Sequence, residues 1–566
     1  MKHIFQLLTL IVILSFSNIS YALVPLAGNY TIDATQPASG TNFQSFNDFA
    51  SAINLNGISA PVTVTVVSGS GPYNEQVVIN PVSGSSPANI VTIDGNGEIL
   101  HATTNTNDRH ALRLKGVSYF NITNLTIERD TSSTSGFYGI QLLDSARHVS
   151  VTNSNITING TTSTLTGSIV ASGSETSILD PGSFHDIYIA SNTLTGGGYG
   201  VSLYGEGNNL ATNVIIAQNI IYDFHSNGIY LRESNGTIVS NNTLDKRTQN
   251  ITSANAIQVA QAANINVQIF NNIISVSQTN NGSSSLRGIY LFDGTGHKVY
   301  NNVIHDVRLT SGNFTGIEIR TGGTAPQISF NTIALDNSAG TTGDLIGIAE
   351  ELSNTNSILR NNNISISQST TGLKCGLLIG AVATPATAFN SNYNNIFITG
   401  NGHIAAKGSL TPVYYTTMSS WNSVSNQDLN SVQINPSFFS PVLSIPTNTA
   451  LDNKGISVSG ITTDITGNIR ASIPDIGAYE FGTTSVNQSE VFAITVYPNP
   501  ATEFIYLNGI KTTYIKIYNE SGQLVRKIIM TPDQQSVDIR DLPVGLYQIL
   551  AECKGKPYFS KFIKTQ

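Results

Sequence analysis

Apolar residues fall along the chain in short runs that alternate with polar ones, and the alternation restarts at a nearly constant interval. A five-residue pattern, Gly or Ala, apolar, any, apolar, any, begins at Ala111, Gly139, Gly200, Gly228, Ala256, Gly288, Gly316, Gly347 and Gly376, with a weaker copy at Ser168. Successive starts lie 28 to 32 residues apart. A second pattern, Asn-x-Ile or Asn-x-Leu, keeps the same frame at Asn192, Asn219, Asn242, Asn272, Asn302, Asn331, Asn362 and Asn394. Period-two alternation predicts at least two short strands per unit, joined by polar bends. Nothing in the unit has the 3.6-residue period of a helix, which excludes leucine-rich and helical repeats.

Strands that short are stable only if each pairs with its equivalent one unit away. The fold expected is therefore all-β: a parallel β-helix of about ten or more coils, with alternate apolar side chains piled into one column. Ten coils at a strand spacing of ~4.8 Å make a rod roughly 48 Å long before caps. One Asn per coil at a fixed bend predicts a ladder, each amide donating to the next carbonyl, as in cross-β stacks. An antiparallel sandwich would need hairpin turns every 8–12 residues or so, and gives no reason for that Asn.

The ends of the rod need covers, because an open coil exposes unpaired edges. Phe43, Phe46, Phe49, Ala50 and Ile53 have helical spacing and predict a capping helix. Tyr73 to Ile79 and Ile90 to Gly95 resemble the opening coil of pectin-lyase-like β-helices. The fold that this resemblance implies is a right-handed parallel β-helix. At the far end, Asp464 to Arg470 followed by Pro474-Asp475-Ile476-Gly477-Ala478-Tyr479-Glu480 resembles a terminal motif of bacterial surface β-helix proteins. An Arg470–carboxylate clasp with turn glycines, closing the rod, is preferred over an acidic site built from Asp464, Asp475 and Glu480.

Beyond a polar linker, Tyr497-Pro498-Asn499-Pro500, Gly522, Gly545, Tyr547 and a terminal Lys564 come in order among alternating strands. Bottom-up they describe a small β-sandwich. They also closely resemble the type A sorting domain of Bacteroidetes proteins exported by the type IX secretion system. That resemblance implies the type IX machinery as a partner, passage through the outer membrane, removal of this domain, and release or attachment to surface lipopolysaccharide. At the other terminus, Lys2 and His3 precede an apolar run from Ile4 to Phe16 and a small-x-small Ser20-Tyr21-Ala22 site, an expected signal peptide too short to span a bilayer. The expected domains are a signal peptide (1–22), N-terminal cap and first coils (23–100), β-helix repeats (101–400), C-terminal coils and cap (401–482), linker (483–493) and sorting domain (494–566).

Composition narrows the partners. Charged residues make up 11% of the chain and the formal net charge is −8, which argues against nucleic acid, a ligand that needs clustered Lys and Arg. No later stretch is apolar enough to span a membrane. Cys375 and Cys553 lie in different expected domains, so no disulfide framework is expected, and no Cys/His cluster has zinc spacing. No metal or cofactor is expected, except Ca²⁺ if the protein were a lyase.

The pectin-lyase-like superfamily includes lyases, polygalacturonases, esterases, tailspikes and non-enzymatic adhesins, and fold alone does not choose among them. The polygalacturonase pattern requires a paired Asp-Asp that this sequence lacks, and Gly296-His297-Lys298 is a fragment of its Gly-His-Gly element. Aligning the repeats places Tyr204, Tyr230, Arg232, Tyr290, Phe292, Glu318, Arg320 and Glu351 at outward positions of successive strands. Rings for sugar faces, with charged groups for hydroxyls or uronates, make this a candidate saccharide track; the bland alternative is an exposed sheet whose residues pair across coils. If a lyase site exists, Arg232 or Arg320 as base with Glu318 nearby is the candidate. Asp223 and Asp306 each fall four residues past the Asn, so they are expected at one corner, with His225 and His305 beside them as solvated residues; a metal or acid–base pair is the alternative there. Glu350 takes a position that is apolar in the other units. The function expected is an exported surface or secreted protein, glycan-binding or adhesive; the alternative is a lyase or hydrolase of acidic polysaccharide.

Overall fold

The computed structural model describes residues 24–565 apart from 134, 162, 248–252, 261–262, 277–284, 321–324, 339, 351–355, 381–388, 409–411, 440–443, 482–491, 494, 509–513, 520–523, 530–535 and 554–555. The expected signal peptide, Glu351 and Gly522 lie outside the described residues.

Each repeat is one turn of a coil made of three strands, such as Arg147–Thr152, Asn155–Ile158 and Thr166–Ala171. Equivalent strands stack in parallel register into three long sheets, the second with 12 strands. In the third sheet Leu112, Ile140, Ile169, Val201, Ile229, Ile257, Ile289, Ile317, Ile348 and Leu377 pair in succession. The ten segments picked out by the repeat are thus consecutive rungs, and no hairpins join them. Their inward side chains merge with those of the other two sheets into one continuous core running from Leu26 to Trp421.

Two features of the repeat acquire physical causes. A Cβ at Gly200 would lie 2.5 Å from a methyl carbon of Ile221 and 2.6 Å from the Gly228 carbonyl oxygen. Where a Gly opens the pattern, the Asn-x-Ile strand on the facing wall comes that close. The asparagines form the predicted ladder: Asn192 donates to Asn219, and the chain of amides continues through Asn242, Asn272, Asn302, Asn331 and Asn362 to Asn394, at 2.9–3.0 Å per step. Each follows a residue bent into the left-handed region, such as Asn241, Asn271 and Asn301, which turns the chain from the first sheet into the second.

Both ends are closed. Helix Phe46–Asn56 buries Phe46, Phe49, Ala50 and Ile53, while Phe43 sits in the short strand Asn42–Phe43. The Glu75 carboxylate accepts from the amides of Phe46 and Asn47 at its N-terminus, and Asn54 donates to the Val78 carbonyl in the first rung of the third sheet. At the other end the strand Val413–Tyr415 turns antiparallel on His403–Lys407, and helix Met418–Ser425 inserts a fully buried Trp421. Asp428 accepts from the Trp421 indole at 2.9 Å and from the terminal ladder amide of Asn394 at 3.2 Å. One carboxylate thereby ties the cap to the ladder.

The motif expected to close the rod does something different: it folds back along the flank. Asn395 exchanges hydrogen bonds with Ile434, Asn361 with Ile456, and Asn301 donates to the Thr463 carbonyl. The strap therefore crosses coils in reverse order, covering the corner between the first and second sheets. The clasp itself is present. Arg470 pairs with Glu480 at 3.2 Å, donates to Asn301 and the Gly477 carbonyl, and lies 3.8 Å over the Phe330 ring. Asp464 and Asp475 accept backbone amides that shape the strap's turns.

The C-terminal domain is a separate small unit. A five-stranded sheet and a three-stranded sheet share a core in which Val496, Ile505 and Val537 meet Ile515, Ile517, Ile549 and Phe562.

Candidate functional site

The outer surface of the third sheet carries the residues that the repeat alignment singled out. Alternation puts the fourth and second pattern residues inside, so the third and fifth point out. In the third column Ser202, Tyr230, Gln258, Tyr290 and Glu318 are successive neighbours. In the fifth, Tyr204 pairs with Arg232, and the ladder continues through Ala260 and Phe292 to Arg320. Register thus brings the named residues onto one face in two adjacent columns.

They are not an open row of rings. Tyr204 and Tyr230 are 8% exposed and Tyr290 and Glu318 only 4%, whereas Arg320 is exposed and Arg232 and Phe292 are half-buried. The rings serve as platforms under guanidinium groups. Arg232 lies 4.4 Å over Tyr204, Arg320 5.2 Å over Phe292, and Arg287 4.5 Å over Tyr290. Arg320 also donates to the Tyr290 hydroxyl at 3.2 Å, and Arg287 pairs with Glu318 at 2.6 Å. Burial pushes the Tyr290 hydroxyl up from its ordinary pKa, so it stays protonated at neutral pH. Arg287 lies one residue before the Gly of its unit, outside the five-residue repeat pattern.

Toward the N-terminal coils the same face is covered by the loop 172–183. Its Glu175 binds Arg113 at 3.1 Å and Lys115 at 3.0 Å. Its Ile178 packs outside the main core with Tyr138, Val170, Tyr199, Tyr230 and Ala260. Tyr230 belongs to that cluster and is a packing residue rather than a free platform.

The corner residues have structural work. Asp223 and Asp306 both occupy the left-handed region at the turn into the third sheet, as the shared offset implied. Arg247 N–H donates to Asp223 at 2.9 Å, and Arg308 pairs with Asp306 at 2.7 Å. His225 and His305 are buried rather than solvated, and burial pushes the His225 pKa down; its ring donates to the Thr161 carbonyl at 2.8 Å. His297 accepts from the Val267 amide and donates to the Asp293 carbonyl, so both ring nitrogens hold backbone. Glu350 is buried among core positions and accepts from the Ser357 hydroxyl at 2.6 Å. Lys246, unremarked in the sequence, is buried inside the rod with its ammonium on the Phe224 carbonyl and 5.4 Å over that ring; burial pushes its pKa down to about 8. Among the described residues no group of three or more His, Cys, Asp or Glu could hold a metal ion, and no helix is long and apolar enough to cross a membrane. Cys375 is a buried thiol, and the side chain of Cys553 lies outside the described residues.

In the C-terminal unit the predicted landmarks converge. Asn499 bonds both ways with the last strand, through the Lys561 carbonyl and the Ile563 amide. Tyr547 stacks 5.3 Å from Phe562 and donates to the Pro543 carbonyl, and Gly545 pairs with Lys564. Tyr497 pairs with Tyr506 through the backbone, while Pro498 and Pro500 are exposed.

Comparison with known families agrees with this architecture. The family described as right handed beta helix region matches residues 154–333, and the secretion system C-terminal sorting domain matches residues 495–565. The chain is a β-helix protein carrying a type IX secretion sorting domain, which directs it to the outer surface or the medium. No curated protein matches it. Among solved structures it is similar to the family GH136 lacto-N-biosidase of Eubacterium ramulus, with 10% identity over 63% of this chain and 64% of that one and a TM-score of 0.36. The enzymatically active domain of tailspike protein 2 from bacteriophage CBA120 shares 10% identity over 95% of this chain and 76% of its own, with a TM-score of 0.22. Scores this low carry no argument about activity.

Proposed function

We propose that the protein is an extracellular glycan-binding protein whose third sheet recognises acidic polysaccharide. The observation that carries the reading is the pair of guanidinium groups held over rings in one outward column, Arg232 on Tyr204 and Arg320 on Phe292. A ring beneath a guanidinium fixes its plane, which favours a two-pronged contact with a carboxylate. Arg232 and Arg320 are three rungs apart, roughly 14 Å along the rod, a span suited to successive acidic sugars of an extended chain. Burial of the rings moves recognition from stacking on neutral sugar faces to charge and hydrogen bonding. Glu318, tied to Arg287, is the register neighbour of Tyr290, and Arg320 lies exposed beside them. A Bacteroidetes cell envelope, with the sorting domain as its address, is the setting.

The test is calorimetry of the mature chain with tetragalacturonate and with an uncharged oligosaccharide of equal length. Arg232→Gln with Arg320→Gln is expected to weaken the acidic ligand at least ten-fold and leave the neutral one unchanged. Equal affinity of the double variant and the parent contradicts the reading. Appearance of unsaturated products that the same substitutions abolish would make it a lyase instead.

A further inference from the structure

Beneath the loop 172–183 lies a set of polar side chains that packing of a plain β-helix does not call for. His110 and Tyr138 are neighbours in one outward column of the third sheet. His110 is 3% exposed and Tyr138 fully buried; neither ring nitrogen of His110 has a hydrogen-bond partner among the described residues, and the Tyr138 hydroxyl faces the Arg109 guanidinium. Buried polar groups are nearly always bonded, so an imidazole with both nitrogens left this way marks a place built for something else. Arg113 stands beside them, buried, its Nε fixed on Gln141 at 2.8 Å and its remaining nitrogens turned to the loop. Arg109 flanks the set and donates to the Thr176 carbonyl.

The loop meets these groups as a ligand would. Its Glu175 carboxylate bridges Arg113 at 3.1 Å and Lys115 at 3.0 Å, and its backbone carbonyls at Ser174, Glu175 and Thr176 accept from Gln141, Arg113 and Arg109. One carboxylate flanked by a row of hydroxyl-like acceptors is the hydrogen-bonding outline of a uronic acid. We infer that Arg109, His110, Arg113, Lys115 and Tyr138 form a subsite for a uronic-acid unit of an acidic polysaccharide, occupied by the chain's own loop with Glu175 standing in for the sugar carboxylate. Arg113 and Lys115 take the carboxylate, Arg109 takes a sugar oxygen in place of the Thr176 carbonyl, and the phenol and the imidazole take ring hydroxyls. Burial, then the nearby Arg113, push His110 down to about 3, so its ring is neutral and one nitrogen accepts while the other donates. The loop is held by few apolar contacts: Ile178 is its buried anchor, while Leu179 is exposed.

This deepens the reading of the face as an acidic-glycan track, extending it toward the N-terminal coils, and is separable from it. The probe is trigalacturonate, titrated calorimetrically into the mature chain, with hydrogen exchange of residues 172–183 followed in parallel. Glu175→Gln is expected to raise affinity at least ten-fold and to speed exchange of the loop. Adding Tyr138→Phe, which removes one hydroxyl and no volume, is expected to cancel most of the gain. Adding Arg232→Gln and Arg320→Gln instead is expected to leave the gain intact, even if those two positions prove irrelevant to binding. Should the loop stay protected in Glu175→Gln, Ile178→Ser is added to free it. A freed loop with no gain in affinity overturns the inference, as does an equal gain for an uncharged trisaccharide.

Discussion

Side chains in this rod are selected by what the neighbouring coil places above and below them. Asn272 shows the rule: its amide donates to Asn302, and its carbonyl accepts from both the side chain and the backbone of Asn242. Identical residues stack because each satisfies the next, and that is why the ladder was legible from spacing alone. Lys246 breaks the rule. It occupies an inward position paired with Val276 in the next rung, where a charge is poorly solvated, and burial lowers its pKa to about 8 against an ordinary 10.5. Between those values the folded chain binds fewer protons than the unfolded one, so stability rises as pH climbs from 8 to 10.5. At pH 7 the buried charge costs about 3 kcal/mol. Lys246→Met is expected to raise the denaturation midpoint at pH 7 and to flatten the rise between pH 8 and 10.5, as read by chemical denaturation at several pH values. An unchanged pH profile would place the ammonium in contact with solvent. Nothing in the alternation marks this residue, because a lysine in a strand reads as an outward one.

At the scale of elements, strands and bends were readable because each repeats, whereas caps and the strap occur once. The helix over Phe46–Asn56 was found from its spacing, offset by the short strand that takes Phe43. The motif from Asp464 to Glu480 is expected at the rod's end, but it belongs to a strap that runs back along the flank. Its path along the flank is set by Asn301, Asn361 and Asn395, whose partners no local pattern reveals. Arg470 is the pin of that strap. Both it and Glu480 are almost wholly buried, and removing one partner of a buried ion pair strands the other. Arg470→Met is expected to cost about 3–5 kcal/mol of strap attachment. Hydrogen exchange should then accelerate across residues 432–481 and at Asn301, with coils before Asn242 unaffected. Uniform acceleration along the rod would mean that the strap and coils unfold as one unit.

For the whole molecule, the continuous core explains how an exported chain with two cysteines holds together. Parallel ladders link every coil to the next, and the core runs unbroken from the first cap to Trp421. Fold and address were legible because both rest on repeated or ordered motifs. The candidate site was only half legible. Register placed Tyr204, Arg232, Phe292 and Arg320 in one column as aligned, but burial is decided by what lies over a strand, and the loop 172–183 has no periodic signature. That loop covers the N-terminal part of the face, and arginines ride over the rings of Tyr204, Tyr290 and Phe292 where a row of open aromatic faces is expected. The most direct test is a crystal structure of the mature chain soaked with tetragalacturonate. Sugar carboxylates within hydrogen-bond distance of Arg232 and Arg320, with the oligomer running parallel to the rod, are the expected result. An oligomer bound on the first or second sheet, or none at saturating ligand, would contradict it.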